Sequence, residues 1–296
     1  MRARQAFAPL GADVTIVEGA ARILPREDAA ASALVEVALL RDGVQVRAGQ
    51  AVARVDADAA GGGRLVLDDD SQVPYAALLV AVGRSPRTRG LGLARAGVAV
   101  DGHGFVVVDS QLRTANPRIW AAGDLTRHPQ YTHTAGVHGS LAASNAILGL
   151  RRSASVTALP RVTFTHPEVA AVGLPTDPLP QGLRLLEWSN RHVDRAVAEG
   201  DVGGFTRLVV DRKGRILGAT VVGPRAGEAL AELTLAVKHG LRTRDLVAVI
   251  HPYPTYGDGP WNCAISDVRD SLGRPPVQRA IAGLVTARRW LGERTR

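Results

Sequence analysis

The stretch Ile119-Trp120-Ala121-Ala122-Gly123-Asp124 is an apolar run that ends in a glycine and a carboxylate. A buried parallel strand looks like this when it delivers an acid to its C-terminal edge, where open α/β sheets bind ligands. A tight turn with a solvated aspartate fits the same residues. Downstream, Thr132-His133-Thr134-Ala135-Gly136 opens a helix that runs to about Leu148, with small residues that allow close approach. Upstream, Leu78–Val82 is apolar throughout and reads as a second buried strand, closed by Gly83-Arg84-Ser85-Pro86. Glycine and proline would also close a plain strand-to-loop turn.

The preceding residues carry α/β signals as well. Ala3, Ala6, Phe7 and Leu10 recur at helical spacing before Gly11, and a β-branched strand from Ala12 ends on Glu18. In a dinucleotide-binding fold the acid after such a strand takes the ribose hydroxyls; a strand-end surface glutamate is the plainer alternative. A helix is predicted over about 28–41, with Leu34, Val37, Ala38 and Leu40 on its buried side, followed by a strand at Val44–Val46. Ala51–Val55, Gly63–Leu67 and Gln72–Pro74 alternate like an antiparallel excursion, and Phe105–Val108 reads as a strand.

From Leu159 the pattern changes. Val162–Thr165 reads as an entry strand, Val202–Asp211 and Arg215–Gly223 as a hairpin around Asp211–Gly214. Helices are predicted over 226–239 and Thr243–Val249. The composition is that of an antiparallel sheet covered by helices on one face, either with an interface role or as a generic α+β domain without one. Such a sheet leaves its other face or edge to be covered. The proline-rich segment Ile250–Tyr256, with two tyrosines, suits an interface. Val277 to Trp290 forms an arginine-rich amphipathic helix. Its basic face could meet a membrane surface or a partner, or be solvated while its apolar stripe packs on its own domain.

The composition narrows the function classes. The chain has 296 residues, 46% hydrophobic, with a formal charge of +8 and one cysteine, Cys263. That length supports two or three domains. One cysteine supplies neither an internal disulfide, a CxxC pair nor a zinc cage, and a lone cysteine in an apolar helix is usually buried and inert. No metal site is expected. The basic excess reads as a bias toward anionic ligands or as arginine-rich composition, not as a nucleic-acid tail. No signal peptide and no integral membrane segment are read, so a cytoplasmic location is the default.

Four segments together resemble the pyridine nucleotide–disulfide oxidoreductase family of flavoproteins, closest to its mercuric reductase and dihydrolipoamide dehydrogenase branch. They are Leu79–Pro86, Ile119–Asp124, Phe164–Glu168 and His251–Tyr256, in that order. The resemblance implies FAD and NAD(P)H as cofactors and a homodimer, with no nucleic-acid partner. It assigns cofactor contacts to Glu18, Gly83, Arg84, Gly123, Asp124 and Ala135, and places His138, a turn into its helix, as a polar helix-surface group more than as a base. Relatives use a histidine followed five residues later by a glutamate; here Tyr253 and Asp258 occupy those catalytic positions, and His251 is displaced by two. A phenol, with a pKa of about 10, is a poor base near neutrality.

The glycine-rich turns and the cysteine pair of the family would lie before Met1. The expected architecture is therefore α/β then α+β: partial FAD/NAD(P)-binding Rossmann-like domains followed by an α+β dimerisation domain. Residues 1–84 are expected as a truncated NAD(P)-binding domain and 85–155 as the C-terminal part of an FAD-binding domain. Residues 159–265 are expected as the dimerisation domain and 266–296 as a helical extension. This makes the chain the C-terminal portion of such an enzyme, lacking the first FAD-binding segment, with a missing N-terminal flavoprotein segment as a candidate partner. The expected function is an FAD-dependent NAD(P)H oxidoreductase that does not use a disulfide/His–Glu mechanism. The alternative is a non-catalytic remnant or subunit acting as a dimerising module.

Overall fold

Helix α1 (Arg2–Phe7), strand β1 (Thr15–Glu18), helix α2 (Ala29–Arg41) and strand β2 (Gln45–Ala48) open the chain in the computed structural model, which describes residues 2–59 and 61–293. The alanine-rich run 29–41 is helical because it is built of strong helix formers and because Asp28 caps it, its carboxylate accepting the Ala30 N–H at 2.9 Å. β1 and β2 pair in parallel, Thr15 opposite Gln45 and Glu18 opposite Ala48, so β1–α2–β2 is a βαβ unit. Strands β3 (Val52–Ala57), β4 (Gly63–Leu67) and β5 (Gln72–Tyr75) follow as an antiparallel sheet in that order. This is the expected excursion.

Helix α3 (Thr132–Leu148) has the predicted bounds. Beyond it come β6 (Arg161–Thr163), β7 (Glu168–Gly173), β8 (Arg184–Ser189), α4 (Asp194–Glu199), β9 (Phe205–Val210) and β10 (Ile216–Gly223). Helices α5 (Ala226–His239), α6 (Thr243–Val247), α7 (Asp258–Leu272) and α8 (Pro275–Glu293) end the described chain. The five strands form one antiparallel sheet in the order β6-β7-β10-β9-β8.

Two compact units result, Met1–Ala76 with Pro160–Arg296, and Ala77–Leu159. In the first, the register puts Val169, Phe205 and Val222 on one face of the five-stranded sheet. They share a core with Ile16, Ile23, Val35, Leu39 and Val44 of the βαβ unit. On the same face, Arg207 of β9 donates to both Asp28 carboxylate oxygens at 2.8 and 2.7 Å. Asp28 also accepts from the Thr176 hydroxyl, 2.7 Å, which lies 2.9 Å from that of Thr220. Cys263 of α7 packs on the opposite face, its thiol 3.8 Å from Thr206 O. The sheet is therefore covered on both faces within the chain. The expectation of a bare second face is corrected, because the βαβ unit supplies its cover.

The stripe that α2 buries also differs from expectation. Ala31, Val35, Ala38 and Leu39 are buried, whereas Val37 and Leu40 are exposed. The helix is apolar almost all round, so its sequence does not select a face; packing against Ile16 and Phe205 does. Phe7 and Leu10 are exposed too, and the Ala3 side chain lies outside the described residues.

The second unit departs furthest from the reading. Residues 78–82 form no strand, and Val82 is 95% exposed. Trp120 makes one isolated antiparallel bridge to Arg113, Val106 one to Val100, and Gly123–Leu125 is a short 3-10 turn. Apolar runs become strands only where neighbours pair with them, and the runs themselves do not name the neighbour.

Candidate functional site

Within the second unit, Gly123 adopts φ +69°, and a Cβ built there would stand 2.8 Å from the Ala135 Cβ. Only glycine allows α3 to approach this closely. The contact brings three predicted residues, Gly123, Asp124 and Ala135, to the start of α3. Asp124 is exposed, and its carboxylate accepts no hydrogen bond among the described residues. No side chain caps α3. The Ala135 N–H is spent on Tyr131 O, and Thr134 Oγ1 is buried without a partner. An open carboxylate beside an uncapped helix start and an orphaned hydroxyl fits a group with several hydroxyls and electron-rich carbonyls, as a flavin with its ribitol has.

Arg84 donates to Gln130 O at 2.6 Å, and Gly83 is exposed at φ +154°. His138 is not the surface group expected: it is 3% exposed, its Nδ1 has no partner, and its ring meets His128 edge-on at 4.6 Å. Burial, then the His128 charge, lowers its pKa.

In the first unit, Glu18 ends β1 half-buried. One carboxylate oxygen accepts the Ala20 N–H at 3.0 Å. The other has no described bond, which fits a ribose hydroxyl.

The segment before α7 gathers the remaining predicted residues. Tyr253 and Asp258 line a cavity of about 280 Å³ with Trp188, Asp194 and Trp261. The Tyr253 hydroxyl donates to Asp194, and that bond raises the phenol's pKa. Tyr256 donates to Glu199 at 2.6 Å; burial first, then this bond, pushes it up to about 12. Asp258 is 4% exposed and accepts the Thr255 N–H at 3.3 Å. Burial raises its pKa, and Asp194 adds to this. Neither phenol is a base near neutrality, and Asp258 is biased toward holding a proton.

His251 offers no substitute. Its Nε2 lies 2.9 Å from the Glu232 carboxylate and its Nδ1 3.0 Å from Val249 O, so both nitrogens face acceptors, while its ring stacks on Trp261 at 5.4 Å. Cys263 is fully buried, and burial pushes its thiol up to about 12. Asp194, Glu199 and Glu232 escaped the sequence reading, since each is brought in by a helix 19 to 59 positions away. Among the described residues no cluster of histidine, cysteine or acid could hold a metal ion, and no helix is long and apolar enough to cross a membrane.

Residues 3–139 match the family model of the pyridine nucleotide-disulphide oxidoreductases, and residues 159–263 that of the family's dimerisation domain. The chain is 40% identical to a mercuric reductase of Streptomyces lividans, over 86% of this chain and 55% of that one. It is 36% identical to a dihydrolipoyl dehydrogenase of Thermus scotoductus, over 86% and 57%. Its fold is similar to that of LpdA from Mycobacterium tuberculosis, with a TM-score of 0.83 at 28% identity over 90% of this chain and 58% of that one. A Cu(II) complex of the flavoprotein disulfide reductase RclA from Escherichia coli gives 0.81 at 26%, over 88% and 60%. The chain spans about half the length of the curated relatives it matches.

The matches correct three expectations. Both family domains are represented, so the reading of partial Rossmann-like domains does not hold. Nor does that of a C-terminal portion lacking its first FAD-binding segment, and with it goes the missing N-terminal flavoprotein segment as a partner. That reading rested on the lack of a glycine-rich turn before β1. The β1–α2–β2 unit forms without it, with Glu18 at its strand end. The chain belongs to the pyridine nucleotide-disulphide oxidoreductases, the flavoprotein family whose cofactors are FAD and NAD(P)H.

Proposed function

We propose that the protein is an FAD-dependent NAD(P)H oxidoreductase that passes electrons to an acceptor other than a disulfide. The observation that carries this is the chemistry of residues 253–263. Thiol–disulfide exchange needs an accessible thiolate and a base that takes its proton. This chain offers one buried thiol, pushed up to about 12, and a phenol bound to Asp194.

In this reading residues 1–84 carry the nicotinamide nucleotide, 85–155 the flavin side, 159–265 the dimer contact and 266–296 an extension. Asp124 would accept hydroxyls of the ribitol, and the start of α3 behind Gly123 and Ala135 would face the flavin carbonyls. Gly83 and Arg84 would shape the same side. Glu18 would accept from the nucleotide ribose. Tyr253 and Asp258 would act as proton donors at the acceptor's end. Bound flavin would supply the capacity to take a hydride and release its electrons singly or in pairs. A cytoplasmic location belongs to the same reading.

The test uses the full chain reconstituted with FAD. It should retain a visible flavin spectrum through gel filtration, bleach anaerobically with NADH, and recover its colour with a quinone. Lipoamide and an aromatic disulfide should not be reduced. Loss of all flavin on filtration would overturn the proposal, as would disulfide turnover that persists in Cys263→Ser.

A further inference from the structure

Helix α8 is the largest element that the proposed chemistry leaves unused. Its 19 residues span about 28 Å. Val277, Ile281, Leu284 and Val285 stand at i, i+4, i+7 and i+8 and therefore share one side. The sequence left open that this stripe packs on its own domain. Beyond the half-buried Val277 it does not: Ile281, Leu284 and Val285 are 42, 72 and 45% exposed, and Trp290 is 52% exposed. From Arg274 onward the sequence holds six arginines, Arg274, Arg279, Arg288, Arg289, Arg294 and Arg296, against one acid, Glu293.

We infer that α8 docks on an anionic lipid surface, lying in the plane of the headgroups with its apolar side down. Three features select this occupant. The helix is too polar to span a bilayer but carries apolar, aromatic and arginine residues together, as interfacial helices do. Its charge complements anionic headgroups, and the chain as a whole adds to the attraction at +8. Arg288 stands one turn beyond Leu284, in line with the stripe. In a seam between two copies of the helix that guanidinium would meet apolar side chains and its own counterpart. On a membrane its stem lies along the stripe while its head reaches the phosphates. Where flavin and nucleotide bind does not enter this argument.

Co-sedimentation of the full chain with phosphatidylcholine vesicles, with and without about one-third phosphatidylglycerol, tests the inference. Binding is expected to the anionic vesicles alone and to fall at least ~5-fold in the paired variant Arg288→Glu/Arg289→Glu and at high salt. Leu284→Asp, at an exposed position, should fold normally by circular dichroism and lose binding to a similar extent. Absence of sedimentation with anionic vesicles would overturn the proposal. Binding that survives Leu284→Asp would also do so, as would self-association lost in that variant without any vesicle binding.

Discussion

Arg207 and Asp28 join β9 of the five-stranded sheet to the start of α2 in the first unit. The Asp28 carboxylate does three things at once: it caps α2, accepts the guanidinium, and accepts the Thr176 hydroxyl. Its side chain is fully buried and that of Arg207 is 19% exposed. Burial pushes the Asp28 pKa up, but Arg207, then Thr176, outweigh it and hold the carboxyl below its ordinary value. Asp28→Asn keeps the cap, since asparagine caps as well as aspartate, and removes the charge. It is expected to cost about 3 kcal/mol, the scale for removing one partner of a buried pair. The sign with pH follows from the lowered pKa. The stabilisation is complete above the unfolded carboxylate range, about pH 4, and is lost as pH falls through the depressed folded value. Urea unfolding of both proteins from pH 7 down to pH 3 should therefore show a gap that closes in acid; a gap constant with pH would show that the charge is not its source. The sequence placed the helix start at Asp28, but not that its carboxylate would cap the helix or that an arginine 179 residues later would complete it.

Helix α2 shows what local pattern can and cannot specify. Its bounds were legible because an acid caps it and glycine follows it; α3 and α5 have no side-chain cap, and only the glycines that close them, Gly149 and Gly240, mark their ends. Its buried side was only partly legible, because Val37 and Leu40 are as apolar as Val35 and Leu39. Only the core formed with Ile16, Val44 and Phe205 separates them. Leu39→Ala should cost about 2–5 kcal/mol, the range for a leucine removed from a packed core. Leu40→Ala, at an exposed position on the next residue, should cost about 0.5 kcal/mol or less. Equal losses in the two variants, read from denaturation midpoints, would refute the assigned stripe. The same limit explains residues 78–82 and 119–122. Both are apolar enough for strands, and both wait on neighbours that composition does not reveal. The candidate site divides likewise: Gly123, Asp124, Tyr253 and Asp258 were marked by the family resemblance of the segments that carry them. Asp194, Glu199 and Glu232, which accept hydrogen bonds from the tyrosines or face the His251 ring, required the fold.

For the whole molecule, the covered second face changes the argument for a dimer. An uncovered sheet face is a reason to pair, yet Val169, Phe205 and Val222 are already buried with the βαβ unit. What stays open is the segment before α7. Ile250 is 96% exposed, Tyr253 70% and Val249 52%, on a stretch held by His251 on Glu232 and by the two tyrosines on Asp194 and Glu199. A rigid segment loses little conformational entropy on docking, and aromatic and aliphatic tips form the centres of interfaces. The match of residues 159–263 to a dimerisation domain supports the proposed dimer contact, in which a second copy of this chain would cover this surface. Two-fold pairing would set the segment of each copy against one surface of the other. Ile250→Asp tests this with little risk to folding, since its side chain covers nothing in the chain. Sedimentation velocity at micromolar concentration should show a dimer for the parent and a shift toward monomer for the variant by at least ~10-fold in dissociation constant, the effect expected of a charge buried at an interface centre. A parent that stays monomeric would refute the dimer, and a variant that dimerises as tightly would move the contact elsewhere on the sheet. The short strand β6 and the longer β8 are its two edges, and β8, with six residues, offers the longer ladder for such a contact.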